Sequence, residues 1–136
     1  RRRREQRPRP FEQHREIGVR ELRAVATRLD VDEPTAALLV ETAHDAGLLG
    51  AADDVWLPTP AYDAWRVQPL ARRWTDLAVA WLSSARVVGL VGAKDPKGNR
   101  TSALGPELDR VVLPEVKQAV LADLAGLGTG AAATSG

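Results

Sequence analysis

Residues 19–59 read VRELRAVATRLDVDEPTAALLVETAHDAGLLGAADDVWLPT, and this stretch decides the fold. Val19, Leu22, Val25, Ala26 and Leu29 recur at the three-to-four spacing of one helical stripe, with Arg20, Arg23 and Arg28 off it. The spacing predicts a first helix over 19–29. Asp30-Val31-Asp32 then forms a turn, with Val31 plugging the angle between two helices. Asp32 suits an N-cap, because its carboxylate can accept first-turn amides, and Glu33 and Pro34 suit the opening turn. A second helix follows over 33–46, with Ala36, Leu39, Val40 and Ala43 as its core stripe and Gly47 as the residue that closes it. Residues 48–57 read as two short strands about a Gly/Asp-rich tip, ended by Pro58 and Pro60. Helix, turn, helix and hairpin in this order predict a winged helix-turn-helix over 17–60, in a mainly α chain with one small β-hairpin.

Outward from this stretch, Ala61–Trp65 reads as a short helix or turn. Leu70, Trp74, Leu77 and Trp81 fall at i, i+4, i+7 and i+11 of a helix over 69–83. Stripes at strict helical spacing are more often core than platforms for stacked bases, so this one is expected to be the heart of a second core. Arg86–Gly92 is a short apolar segment, strand or buried loop. Asp95-Pro96-Lys97-Gly98 has the residues of a type I turn. A last helix is expected over 114–124 with Leu113, Val116, Val120 and Leu124 as its stripe. The organisation expected is a basic flexible tail or linker over 1–16, the winged module, a helical domain over 61–125 packed on it, and a low-complexity tail over 126–136.

Charge is uneven. Residues 1–10 hold six Arg and one Glu, whereas the remaining 126 hold 13 basic and 17 acidic side chains. The tail, Arg1, Arg2, Arg3 and Arg4 above all, is either a basic arm for nucleic acid or a solvated linker, and the linker is the commoner use of such runs. Within the body the basic candidates for nucleic acid are the adjacent pair Arg72-Arg73 and the loop residues Lys94, Lys97 and Arg100. The second helix fails the test of a DNA reader, whose exposed residues would meet bases and phosphates. Its off-stripe positions are Glu33, Thr35, Glu41, Thr42, His44 and Asp45, and no Arg or Lys occurs from Leu29 to Trp65. The hairpin tip adds Asp53 and Asp54, which would repel phosphate. Glu33, Glu41, His44 and Asp45 are therefore candidates for protein contact.

With no Cys, disulfides, thiol catalysis and Cys-ligated zinc are excluded. His14 lacks a ligand partner at helical spacing, His44 is the single histidine of the folded part, and no HExxH, Gly-rich dinucleotide loop or P-loop occurs. Asp53-Asp54, at a solvated tip, lacks the setting that perturbs catalytic carboxylates. The expectation is therefore no enzyme, no metal, no cofactor and no small-molecule substrate. No apolar run approaches the ~18 residues of a membrane span. The chain has no Met, even at position 1, which reads as a piece of a longer protein, and its Arg-over-Lys and Ala bias suggests a GC-rich genome. With no signal peptide in sight, the default location is the cytoplasm, including the nucleoid.

The collinear motifs GVRELRAVATRLDVDEPTAALLVETAHDAGLL, VWLPTPAYDAW, RRWTDLAVAWL, GLVG, ALGPEL and PEV, spanning residues 18–124, resemble the actinobacterial helicase-associated (XPB-type) proteins. The resemblance implies a non-catalytic winged-helix module of a larger protein that serves helicases in DNA repair or transcription. It implies DNA, a helicase or another protein as partner and brings no catalytic residues with it. Two mechanisms remain open: DNA engagement through surfaces other than the second helix, and docking on a helicase or neighbouring domain through the acidic second helix and wing.

Overall fold

The computed structural model describes residues 16–53 and 55–132. Arg1–Arg4, His14 and Asp54, and the last four residues of the C-terminal tail, lie outside them. Among the described residues the protein is mostly helical, with five α-helices and one two-stranded antiparallel sheet. Helix α1 spans Val19–Leu29 and α2 spans Glu33–Asp45. Asp30 ends α1 in the left-handed region at φ 54°, which a short polar side chain tolerates, and its amide returns to the carbonyls of Ala26 and Thr27. Asp32 caps α2 by accepting the Thr35 amide at 2.8 Å. Gly47 turns the chain out of α2 at φ +73°. This is the succession the local signals specify.

Strands β1 (Leu49–Ala52) and β2 (Val55–Pro58) pair from Leu49↔Pro58 to Ala52↔Val55. Thr59 fastens the hairpin to the end of α2: its amide donates to Leu48 O at 3.0 Å and its hydroxyl to Gly47 O at 2.6 Å. Helix α3 (Pro60–Arg66) follows at once, then α4 (Leu70–Ser83) and, after a long irregular segment, α5 (Leu113–Ala125). That segment carries short 3-10 turns at Val88–Leu90 and Pro106–Leu108 rather than a strand, with isolated bridges from Arg86 to Asp109, Lys94 to Arg100 and Ala103 to Ile17.

The core lies between α1 and α2. Leu22 and Ala26 of α1 meet Ala36, Ala37 and Val40 of α2, with Val31 packed at the turn. Three alanines among these residues let the two helices approach closely. Ile17 and the returning residues Ala103 and Leu104 complete the cluster, and the Ile17 amide donates to Ala103 O at 2.8 Å. Residues on both sides of position 60 therefore share one core. Each fully buried Leu, Ile or Val contributes roughly 1.5–3 kcal/mol.

Three sequence expectations about packing are corrected here. Leu39, assigned to the core stripe of α2, is exposed, and the buried stripe runs Ala36, Ala37, Val40 and Glu41. The α1 partner and the returning loop pack on that side, which turns Leu38 and Leu39 outward. The α4 stripe is not a second core: α4 buries no residue completely, Leu70 is 62% exposed and Trp74 67%. The stripe of α5 is likewise open at Val116, Val120 and Leu124. Periodicity identified the apolar faces of α4 and α5, but among the described residues these faces stay largely exposed.

Candidate functional site

The outward face of α2, the hairpin, α3 and α4 enclose an open groove of about 730 Å³. Leu38, Leu39 and Ala43 form one wall, Tyr62 and Trp65 of α3 one end, and Trp74, Leu77 and Trp81 of α4 the facing wall. The lining is apolar almost throughout. Each wall has a local cause. Trp74, Leu77 and Trp81, four, seven and eleven residues after Leu70, fall on one side of α4, while burial of Ala37 and Glu41 against the core obliges Leu38 and Leu39 to face it. At the α3 end, Tyr62 and Trp65 lie 6.1 Å apart, and the Arg73 guanidinium stacks 5.7 Å from the Trp65 ring. The Trp65 indole N–H and Arg73 Nε are enclosed without an acceptor among the described residues. At the other end Lys117 of α5 lies 4.5 Å from the Trp81 ring and donates to the carbonyls of Trp81 (2.6 Å) and Ser84 (3.0 Å). Burial pushes its ammonium pKa down, against the attraction of Asp45.

Of the four side chains expected to contact a partner, Glu41 is a clear correction. It is fully buried, with 0% of its side chain exposed. Arg86 Nε donates to one of its oxygens at 2.5 Å, while Arg86 Nη2 (3.1 Å) and the Leu104 amide (2.6 Å) donate to the other. Arg86 also donates to Gly105 O at 2.7 Å and reaches Asp109 at 3.4 Å. Burial opposes the charge on Arg86, but Glu41, Asp109 and Asp45 outweigh it and hold its pKa above the ordinary value. This ion pair ties α2 to the returning chain. It also holds Leu104, whose φ of 59° is unusual for a bulky residue. A carboxylate beside Ala37 on the core side, and one arginine opening an otherwise apolar RVVGLVG, were the only sequence signals of it.

The other three are engaged locally. Glu33 accepts from Arg23 Nε at 2.9 Å, bridging α2 to α1. His44 packs edge-on against Trp56, ring centres 5.7 Å apart, with Nδ1 buried. Asp45 faces the charges of Arg86 and Lys117. Of the acidic side chains of α2, Glu41 is internal, whereas Glu33 and Asp45 remain partly exposed.

The basic candidates divide as well. Arg72 pairs with Asp76 one turn on, at 3.1 Å, and Arg73 turns onto Trp65, so the doublet does not present two outward cations. Lys94, Lys97 and Arg100 are exposed as expected. Asp95 organises their turn by accepting the amides of Lys97 and Asn99 at 2.9 Å each, and Lys94 bridges Arg100 across it. Arg100 shares a small cleft with Arg23 of α1, but Glu33 lines the same cleft. Among the described residues no three His, Asp or Glu side chains gather as a metal site would require, and no helix is long and apolar enough to cross a membrane. Set against known protein families, curated proteins and solved structures, the chain matches none of them.

Proposed function

We propose that this chain is a non-catalytic protein-docking module whose docking surface is the apolar groove between α2 and α4. The observation that carries this reading is Trp74, two-thirds exposed on a helix wall that faces Leu38 and Leu39 across an open channel. Exposed contiguous apolar surface beyond a few hundred Å² is unusual on a monomer and marks interaction sites. Grooves of this kind accept an apolar helix face. In this reading α1, α2 and the hairpin are a winged helix-turn-helix used as scaffold. The Glu41–Arg86 pair fixes the angle at which α2 shows its leucines, and the helix that would read DNA instead supplies a groove wall. The setting implied by the resemblance, an accessory to a helicase in DNA repair or transcription, suits a module that joins protein surfaces rather than reads bases.

DNA contact is the second reading, favoured by the exposed Lys94, Lys97 and Arg100 loop. One experiment separates the two. The photo-reactive residue p-benzoylphenylalanine is placed at position 74 or at position 97 of the full chain, and adducts formed in cells are compared. Docking predicts polypeptide adducts from position 74 and few from position 97. DNA adducts from position 97 with none from position 74 would overturn it in favour of the second reading.

A further inference from the structure

We infer that the groove and the exposed face of α5 form one surface, and that its occupant is a second copy of this chain. The inference rests on the docking reading and names the partner. Trp81 belongs to both parts: it lines the groove, and Lys117 of α5 stacks on its ring. From that joint the apolar surface runs along α4 to Leu70, about 16 Å of helix, and along α5 through Val116, Val120 and Leu124.

Its size fits self-association. With roughly 100 Å² for an aliphatic and 200 Å² for a tryptophan side chain, the observed exposures of Leu38, Leu39, Leu70, the two tryptophans and Val116, Val120 and Leu124 amount to about 500 Å². A standard interface takes about 800 Å² from each partner, of which about 65% is apolar in homodimers, or roughly 500 Å². Its chemistry fits too. Interfaces between independent proteins are less apolar and take specificity from placed charges. Here Lys117, which interrupts the α5 stripe, is already satisfied by two carbonyls and the Trp81 ring, so pairing the faces strands no bare cation. A two-fold axis sets this surface against itself and covers both copies' tryptophans at once.

Sedimentation equilibrium of the full chain from roughly 1 to 200 µM tests this. The expected result is a monomer–dimer equilibrium with a micromolar Kd, raised at least tenfold by Trp74→Glu on α4 and, separately, by Val120→Glu on α5, with circular dichroism unchanged. Should Trp74→Glu fail to fold, Val120→Glu on the open face of α5 carries the test. A wild-type chain monomeric at 200 µM, or a dimer indifferent to both substitutions, overturns the inference. A monomer whose position 74 crosslinks to a different polypeptide removes the second copy and leaves the docking reading intact; a monomer with no polypeptide adduct removes both.

Discussion

Replacing Glu41 tests the element that orients the groove. Its carboxylate is wholly buried and accepts three hydrogen bonds, two from Arg86 and one from the Leu104 amide. Glu41→Ala leaves the Arg86 guanidinium, itself only 13% exposed, without its principal counter-charge. Breaking one side of a buried pair costs about 3–5 kcal/mol, and an unsatisfied buried N–H costs about 1–3 kcal/mol. Asp109 can recover part of the charge interaction, so we expect a net loss of about 4 kcal/mol, a large share of the roughly 5–15 kcal/mol available to a domain. Glu41→Gln retains an acceptor for Leu104 and should lose about 2 kcal/mol. Removing both charges, in Glu41→Met with Arg86→Met, should return the chain to within about 1–2 kcal/mol of wild type, because neither charge is then stranded. Urea unfolding followed by tryptophan fluorescence reads these proteins together with the single Glu41→Met and Arg86→Met variants. With a slope of about 1.5 kcal/mol per M, the Ala variant's midpoint falls by about 2.7 M. Single substitutions that cost under about 1 kcal/mol each and add without coupling would refute the assignment of this pair as the tie between α2 and the returning chain.

Further predictions concern the helix ends and the α4–α5 joint. Asp32→Ala should lower the melting temperature. Hydrogen bonds from the Thr35 hydroxyl and amide hold the Asp32 carboxyl below the ordinary aspartate range, so its contribution is present above about pH 4 and lost as pH falls through the lowered value. The difference between wild type and Asp32→Ala, followed by thermal unfolding across pH, should therefore shrink in acid; a difference that grows would contradict the cap. Lys117→Met removes two hydrogen bonds and the stacking on Trp81, and should cost about 1–2 kcal/mol while changing the fluorescence of Trp81. Gly47→Ala meets open space but must hold φ +73°, so a loss of about 1 kcal/mol in urea unfolding is expected from backbone strain alone.

Local signals carried much of this fold. The α1 stripe, the Asp32 cap, Gly47 and the strand-tip-strand pattern each specify their structure within a few residues of themselves, and α1 spans the residues its periodicity marks. What escaped is non-local. Glu41 lies one helical turn after Ala37, on the face that the core takes, but its partners Arg86 and Leu104 arrive 45 and 63 positions later. Without them a glutamate between Val40 and Thr42 reads as wet. The aromatic stripe of α4 was legible as a stripe, since spacing identifies an apolar face. Spacing does not identify what covers that face, and a core wall and a docking wall carry the same pattern. For the basic residues, type and exposure were legible at Lys94, Lys97 and Arg100, whereas Arg73 turns onto an aromatic ring that only the fold brings beside it.

The central claim is that the outward side of α2 and α4 is covered by protein in use. Hydroxyl-radical footprinting of Trp74 measures this most directly, comparing its oxidation in intact cells with that of the dilute purified chain. The account predicts severalfold protection of Trp74 in cells, with oxidation of Tyr62 reduced alongside it at the groove's end. Trp74 oxidised equally in both settings, with protection confined to the Lys94–Arg100 loop, would contradict it.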